Sequence, residues 1–392
     1  MNSPVESGSV LGVLGGGQLG AMFITASRRL GYPVAVWDPD PDAPAHRLAD
    51  YSFPHSFDDS AAYERYVALV GAATYEWENV PLPLCKRLEQ RIAVRPSSRI
   101  LGVIQDRVEQ KSFLRAHQLP VPAFKAVNSV DEFEVIADLG YPSICKTATA
   151  GYDGKGQWKI TSRDQLRRLQ TKLRSAASTG TRWIVEQFLD FDRELSLLAV
   201  RGGQGVVRVY PLVENIHENG ILRQSIVPAR VSPQVTTAAT ALAAGVVSAL
   251  DGVGIFCVEL FLMKDGRLLI NEVAPRPHNS GHYTLDVCTV SQFEQQVRSV
   301  CGLPLGEVRL LSPAVMLNLI GDEVTAVRGQ PDLTKCLETP GAILHLYGKR
   351  TVRPRRKMGH LTFVAPDQSM ALARATEFRS RLMAESASLP HH

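Results

Sequence analysis

Residues 151–157 have the sequence Gly-Tyr-Asp-Gly-Lys-Gly-Gln and follow a short apolar segment, 142–146, that ends in Lys146. Three glycines allow positive φ angles and a close approach of the backbone to a ligand, and Lys146 and Lys155 supply cations for a phosphate chain. Because no Ser or Thr follows Lys155 and no regular helix pattern begins there, the loop is not a Walker loop. The stretch predicts a nucleotide clamp whose metal ion is held elsewhere.

Candidate metal ligands lie in a predicted β-hairpin further along the chain. Two apolar runs flank the turn dipeptide Asp265-Gly266, and a two-residue turn there places Glu259 directly opposite Glu272. Facing carboxylates in apolar strands repel each other, and a cation between them removes the repulsion. Hard oxygen ligands of this kind suit magnesium bound to nucleotide phosphates. The alternative is an edge hairpin with one of the two acids in water.

Composition indicates a globular protein of two or three domains. Of 392 residues, 21% are charged and 45% are hydrophobic, and the net charge is +4. This small charge does not argue for nucleic acid, although it is compatible with anionic small substrates. Six cysteines without a C-x-x-C pair predict reduced thiols and a cytoplasmic location. We expect neither an export signal nor a membrane span, because no run of about 18 apolar residues occurs.

The first hundred residues predict an open parallel α/β sheet. Strand 10–14, the motif Gly15–Gly20, a helix ending at Leu30 and a strand 32–37 before Asp38 form a βαβ unit. The G-x-G-x-x-G spacing and the acid about 20 residues further on are the fingerprint of dinucleotide binding. On these residues alone, an NAD-dependent oxidoreductase is a serious alternative.

The rest of the chain predicts a lid and a larger sheet domain. The segment 119–122, Leu-Pro-Val-Pro, predicts a hinge, and the small α+β module behind it carries the glycine loop like a lid. From Glu194 onward, long strands predict a larger antiparallel sheet. The predicted domains are an N-terminal substrate-binding domain 1–108, a lid 109–190, a C-terminal catalytic domain 191–383 and a disordered tail 384–392.

Six segments occur together in a specific order: Gly15–Gly20, Thr74–Val80, Gln105–Arg107, Gly151–Gln157, Asn271–His282 and Arg353–His360. With them the chain resembles the ATP-grasp superfamily and, within it, the N5-carboxyaminoimidazole ribonucleotide synthetase family of purine biosynthesis. The resemblance implies an ATP-grasp fold of mixed α/β and α+β class. It also implies a ligase that phosphorylates bicarbonate to carboxyphosphate and carboxylates 5-aminoimidazole ribonucleotide, releasing ADP and phosphate.

The same resemblance implies ATP and Mg²⁺ (or Mn²⁺) as cofactors and a homodimer without nucleic acid or membrane partners. The alternatives are a sister ATP-grasp ligase that uses formate or biotin, and a catalytically inactive binding module. The metal ligands would be Glu259 and Glu272. Contacts to ATP are implied for Arg107, Lys146, Gly151, Tyr152, Asp153, Gly154, Lys155, Gly156, Gln157, Glu186, Gln187, Phe188, Leu189, Glu194, His217, Asn271 and Glu272.

For the ribonucleotide, the resemblance reassigns the motif Gly15–Gly20 from NAD to the substrate. Catalytic roles are implied for Arg276, Asp153 and Lys155. Substrate contacts are implied for Gln18, Glu76, Tyr152, Arg276, His278, Lys349 and Arg356.

Several of these residues have plainer interpretations. Glu186 is also compatible with an exposed strand acid and His217 with a solvated loop residue. The basic run 349–357 is compatible with a phosphate pocket, a solvated charge run or a nucleic-acid patch. Arg355 stands where the resembled family has glycine, so a turn with positive φ there would be strained.

Overall fold

The computed structural model describes residues 4–149, 151, 156–176, 181–328 and 332–386. Within these ranges the chain forms three β-sheets from consecutive parts of the sequence. The predicted class is confirmed: a parallel α/β sheet comes first, a small antiparallel sheet second and a larger antiparallel sheet third. The domain limits at 108 and 190 stay predictions. Of the predicted tail, residues 387–392 lie outside the described residues.

The first sheet is parallel and has the spatial order β3-β2-β1-β4-β5. Because β2 and β4 flank β1, the loops that follow β1 and β4 meet at the carboxyl edge of the sheet. Its strands are β1 (Val10–Leu14), β2 (Val34–Trp37), β3 (Tyr51–Phe53), β4 (Val70–Tyr75) and β5 (Ala93–Val94), and its helices are α1 (Gln18–Arg29), α2 (Ser60–Leu69), α3 (Leu82–Glu89) and α4 (Ser98–Ile104).

The second sheet is antiparallel, with the order β6-β9-β7-β8, and α5 (Arg107–Ala116) precedes it. Its strands are β6 (Phe124–Val127), β7 (Ser143–Thr147), β8 (Gln157–Ile160) and β9 (Trp183–Gln187), and α6 (Ile136–Leu139) and α7 (Arg163–Ala176) belong to the same part of the chain. The glycine loop joins β7 to β8, and the Thr147 N–H donates to Gly156 O at 2.9 Å at its base.

The third sheet is antiparallel and follows the order β15-β14-β10-β12-β13-β16-β18-β17, with β11 beside β10. Its strands are β10 (Phe191–Arg201), β11 (Val207–Val209), β12 (Val213–Glu218), β13 (Ile221–Val227), β14 (Gly254–Met263), β15 (Leu268–Ala274), β16 (Ala314–Ile320), β17 (Ala342–Leu346) and β18 (Lys357–Val364). Its helices are α8 (Pro233–Leu250), α9 (Thr284–Val287), α10 (Gln292–Cys301), α11 (Glu323–Arg328), α12 (Asp332–Glu338) and α13 (Gln368–Ser386).

Among the helices of the described chain, α8 alone has the length and composition of a membrane span, with 18 residues and a mean hydropathy of 1.3. Its buried residues, including Ala243 and Val247, pack against Leu197 and Phe256 of the third sheet. Packing on the sheet accounts for the buried face of α8, which comprises 28% of its residues.

Helix α10 packs on the first sheet although it belongs to the C-terminal part of the chain. Val297 and Val300 join one buried cluster with Leu11 and Phe23. The Gln296 amide donates to the Thr74 hydroxyl at 3.2 Å, which fixes α10 against β4. Residues distant in sequence therefore complete the core of the N-terminal unit.

Arg355 has a φ of 68°, in the left-handed region that favours glycine. The Arg356 N–H donates to Arg353 O at 3.1 Å, which closes a tight turn. The Arg355 guanidinium donates to Asn219 O at 3.0 Å across the end of the β12–β13 hairpin. The predicted strained turn is confirmed, and a side chain in this conformation costs about 1–2 kcal/mol.

We expect Gly12→Ala to destabilise the fold, because an added Cβ in the middle of β1 would contact the buried Tyr66 hydroxyl and lie 2.9 Å from Val70 Cγ1. Overpacking of this kind lowers the free energy of unfolding by about 1–3 kcal/mol, measurable by urea denaturation. Gly203→Ala is the control, because no atom lies within 4 Å of its added Cβ. Equal losses in both variants would contradict the packing argument.

Candidate active site

A cavity of about 920 Å³ is lined by residues from all three sheets. Every predicted site residue that the structure describes lines it: Gln18, Glu76, Arg107, Lys146, Gly151, Gly156, Gln157, Glu186, Gln187, Phe188, Leu189, Glu194, His217, Glu259, Asn271, Glu272, Arg276, His278, Lys349 and Arg356. Tyr152, Asp153, Gly154 and Lys155 lie outside the described residues. The sequence thus predicted one shared location, while the individual roles stay predictions.

Glu259 on β14 lies directly opposite Glu272 on β15, as the sequence predicts. The local reason differs from the prediction. The turn is longer than two residues, since the Met263 N–H donates to Arg267 O at 2.8 Å and Leu262 pairs with Leu268. This shifts the register by one residue relative to the predicted hairpin.

A β-bulge at Asn271 restores the register. Leu260 pairs with Ile270 and Glu259 pairs with Glu272, so Asn271 is the extra residue of β15. The bulge also brings the Asn271 amide to 3.5 Å from Glu259 Oε2. Bulges commonly re-aim side chains beside functional sites, and here three oxygen-bearing side chains converge.

The Glu259 carboxyl group has a strongly raised pKa. Burial, followed by the charge of Glu272, raises the pKa of Glu259 to about 7. His278 Nε2 lies 3.2 Å from Glu259 Oε1, and Arg107 Nη2 lies 3.6 Å from Glu272 Oε2. His278, predicted as a substrate contact, therefore touches a candidate metal ligand. Oxygen ligands at this repulsive pair fit a hard divalent cation.

Glu186 is buried and holds two lysines. Its carboxylate oxygens lie 3.0 Å from Lys111 Nζ and 2.5 Å from Lys146 Nζ. Although burial raises the pKa of Glu186, the two ammonium groups lower it to about 2. Lys111 also donates to Ile270 O at 3.0 Å, which ties α5 to β15. The interpretation of Glu186 as an exposed strand acid is wrong.

The Arg276 guanidinium pairs with Glu78, and both side chains are largely buried. Burial raises the pKa of Glu78, but Arg276 outweighs it and lowers the pKa below the usual range. Burial lowers the pKa of Arg276, but Glu78 and then Glu272 raise it above the usual range. Glu78 was not among the predicted site residues.

The predicted ATP-binding edge has a polar end and an apolar wall. Glu194 and His217 form a close ion pair. Burial lowers the pKa of His217, but the hydrogen bond to Glu194 and the charge of Glu194 outweigh burial, so the pKa is raised above its usual value. Phe191 and Phe261 stack with ring centroids 4.6 Å apart. His217 is thus partnered and is not merely a solvated loop residue.

Two internal carboxylates occupy the glycine motif. Glu76 accepts from Gly17 N–H at 2.7 Å and from Gly20 N–H at 2.9 Å, which places an anion at the N-terminus of α1. Asp38 accepts from Gly16 N–H at 2.6 Å. Glu76 thus occupies the N–H groups at which a dinucleotide would place its pyrophosphate, which argues against the NAD alternative.

The basic run lies beside the same motif. Lys349 Nζ donates to Lys357 O at 2.8 Å, and Arg356 Nη1 donates to Thr351 O at 3.0 Å. Burial raises the pKa of Glu76, and the nearby charge of Lys349 opposes this shift. Arg350 pairs with Asp42 at 2.6 Å and links the run to the first sheet. The basic run therefore faces the N-terminal unit across the cavity.

A second polar cluster consists of Asp286, His345 and His360, whose ligand atoms lie within 4.8 Å of one another. Tyr347 Oη lies 2.9 Å from His360 Nδ1, and His345 Nε2 lies 2.9 Å from Asp286 Oδ1. The two imidazoles stack with an interplanar angle of 14°. Parallel rings do not aim their in-plane lone pairs at one ion, so the Glu259–Glu272 pair is the better candidate.

The family models match in the order of the three sheets: the ribonucleotide synthetase preATP-grasp domain at residues 9–105, the ATP-grasp domain at 112–293, and the phosphoribosylaminoimidazole carboxylase C-terminal domain at 314–374. The N5-carboxyaminoimidazole ribonucleotide synthase of Bacillus subtilis is 40% identical over 361 residues, which are 92% of each chain. The chain belongs to the N5-carboxyaminoimidazole ribonucleotide synthase family.

Solved structures of this family have the same fold. An N5-carboxyaminoimidazole ribonucleotide synthetase in complex with ADP has a TM-score of 0.90 at 38% identity, over 97% of this chain and 98% of its own. The Aspergillus clavatus N5-carboxyaminoimidazole synthase, in complex with ADP and 5-aminoimidazole ribonucleotide, has a TM-score of 0.86 at 30% identity, over 96% and 99%.

Sequence reasoning missed two charged residues in or beside the cavity, Glu78 and Lys111. Glu78 belongs to the segment Thr74–Val80, which is one of the six segments that carry the family resemblance. Its place in that segment was the signal that could have identified it as a site residue. Lys111 sits on a helix face and had no local signal, because its partner Glu186 is far away in sequence. Ion pairs between residues distant in sequence can be identified only when the arrangement of the three sheets is known.

We expect Lys111→Met to lower the free energy of unfolding by about 3 kcal/mol or more, because it leaves Glu186 buried with a single cation and Ile270 O without its donor. Urea denaturation measures the change. Lys125→Met is the matched control, since Lys125 forms an exposed pair with Asp138 and its loss changes stability by less than about 1 kcal/mol. A Lys111→Met variant as stable as the control would refute the buried triad.

Proposed function

We propose that this protein catalyses the ATP-dependent carboxylation of 5-aminoimidazole ribonucleotide with bicarbonate, through carboxyphosphate, to N5-carboxyaminoimidazole ribonucleotide, ADP and phosphate. The observation that carries the proposal is the Glu259–Glu272 pair, which shares one cavity with Lys146, Arg276 and the basic run in a chain of this family. The matches cover 92% of the Bacillus subtilis relative and 99% of the Aspergillus clavatus structure.

ATP binds, in this proposal, between the second and third sheets. Lys146 and Arg107 contact the phosphates, and Glu194 accepts from the ribose hydroxyls. The backbone of Glu186–Leu189 binds adenine, with Phe261 as an apolar wall. All of these residues line the cavity. The glycine loop of the lid covers the phosphates and excludes water, which protects carboxyphosphate from hydrolysis.

Magnesium, with manganese as a substitute, would be held by Glu259 and Glu272, with Asn271 beside them. The fit rests on the raised pKa of Glu259, which burial and Glu272 cause and which a cation would relieve. When bound, the metal neutralises the charge that develops on the transferred phosphoryl group. His278 and Arg107 keep the two carboxylates oriented.

Carboxyl transfer takes place, in this proposal, at the end of the cavity nearest Arg276. Bicarbonate is a poor electrophile, and the Arg276 guanidinium stabilises the negative charge on carboxyphosphate. Asp153 and Lys155 of the lid are proposed to position the reacting carboxyl group. Lys349 and Arg356 bind the phosphate of the ribonucleotide, and Gln18 contacts its base.

Two further expectations accompany this function. We place the enzyme in the cytoplasm, where its six cysteines, all free in the structure, stay reduced. We also propose a homodimer, which gel filtration with light scattering tests directly. Sister ATP-grasp reactions are separated by product analysis, because labelled bicarbonate and labelled formate give different products.

The purified enzyme is expected to release ADP only when the ribonucleotide, bicarbonate and Mg²⁺ are all present, and to incorporate labelled bicarbonate. Glu272→Gln removes a metal ligand and should lower turnover by about two orders of magnitude or more. Glu307→Gln is the control, because Glu307 is exposed and lies outside the cavity. Absence of ribonucleotide-dependent ADP release in the wild type would refute the function, and full activity of Glu272→Gln would refute the metal role.

Metal affinity is expected to depend on the protonation of Glu259. Its pKa in the folded protein is raised from 4.5 to about 7. Because the folded state then binds the proton more tightly than the unfolded state, the metal-free protein loses stability as the pH rises from the pKa of the unfolded state to about 7. Cation binding requires the ionised form and weakens about tenfold per pH unit below that value. Titration with Mn²⁺ followed by electron paramagnetic resonance, at about pH 6 and about pH 8, should show this slope. Glu259→Gln should bind weakly with a flat profile, and a sloped profile in that variant would contradict the assignment.

A further inference from the structure

The Arg276 guanidinium is engaged by the protein on two sides. Its Nε pairs with Glu78, and its Nη1 donates to Pro277 O at 3.0 Å. No acceptor for Nη2 is present among the described residues, and Arg276 lines the cavity. The two N–H bonds of Nη2 are thus available for an anionic ligand, while the orientation of the guanidinium is set by Glu78.

Glu78 lies on the loop that follows β4, and hydrogen bonds fix this loop at two points. On one side, Glu76 binds the N–H groups of the glycine motif. On the other, the Gln105 amide donates to Glu78 O and to Val80 O, each at 2.6 Å. The loop belongs to the first sheet and Arg276 follows the third, so this ion pair joins two units of the chain across the cavity.

Arg276 also lies within electrostatic range of Glu272. Both residues line the same cavity, and the charge of Glu272, after that of Glu78, raises the pKa of Arg276. Arg107 already contacts Glu272 at 3.6 Å. A second arginine on Glu272 would take the carboxylate oxygens that a divalent cation needs, because a guanidinium binds a carboxylate in two places at once.

We propose that Glu78 is a positioning residue, which holds Arg276 away from the Glu259–Glu272 pair and thereby keeps that pair free for a cation. The proposal deepens the proposed function and rests on it. It assigns to the first sheet a part in assembling the metal site, although none of the metal ligands belongs to that sheet. The loop that carries Glu78 also carries the cap of the glycine motif, so both depend on the same short segment.

The test is Mn²⁺ affinity, measured by electron paramagnetic resonance on the full-length protein with ADP present. Glu78→Gln keeps a hydrogen-bond acceptor but removes the charge, and it is expected to weaken Mn²⁺ binding about tenfold. The double variant Glu78→Gln/Arg276→Met should regain wild-type affinity within about threefold, because the competing cation is gone. Glu294→Gln is the control, since it breaks another largely buried carboxylate–arginine pair, with Arg298, away from the cavity.

Steady-state kinetics separate this role from two others. In Glu78→Gln we expect a lower kcat and a higher Mg²⁺ requirement, with the KM of the ribonucleotide changed less than about threefold. A large rise in that KM with unchanged metal affinity would make Glu78 a substrate contact and overturn the proposal. A loss of activity that tracks only the folded fraction, as judged by circular dichroism, would make it merely structural.

Failure of the proposal is distinguishable from failure of the proposed function. Wild-type enzyme without ribonucleotide-dependent ADP release refutes the function, whereas the Mn²⁺ titration reports on Glu78 without any turnover. Unchanged Mn²⁺ affinity in Glu78→Gln, or no recovery in the double variant, refutes the positioning role.

Discussion

Repulsion between the carboxylates of Glu259 and Glu272 is the constraint around which the cavity is built. The two acids face each other across β14 and β15, and burial together with the charge of Glu272 raises the pKa of Glu259. His278 and Arg107 contact one carboxylate each, and Arg276 is held nearby by an acid from another sheet. Each of these neighbours balances charge around a site that a divalent cation would complete.

The hairpin shows how a sequence prediction can reach a correct position by an incorrect route. The dipeptide Asp265-Gly266 predicted a two-residue turn, and the structure has a longer one. The bulge at Asn271 compensates for the difference. Helix α5 contacts the bulged strand on both sides of Asn271, because Lys111 donates to Ile270 O and Gln110 accepts from Val273 N–H. Local sequence signals do not contain these contacts.

Local patterns were sufficient for the sheet classes, the glycine loop and the facing acids, since strand periodicity and turn residues are encoded over short stretches. Most other residues around the cavity were predicted only from the family resemblance. Interactions between distant segments were not accessible. The burial of Glu186 between two lysines and the packing of α10 on the first sheet both depend on how the three sheets are arranged. Buried ion pairs therefore mark the limit of inference from one sequence.

The glycine motif after β1 has a consequence for how such sequences are classified. Its spacing is that of a nucleotide-binding loop, yet the acid that directly follows β4 satisfies its amide groups from within. The N–H groups that would bind a diphosphate instead bind the Glu76 carboxylate, which links the loops that follow β1 and β4. An acidic residue directly after the strand beside such a motif is therefore a feature to check before the motif is assigned to a redox cofactor.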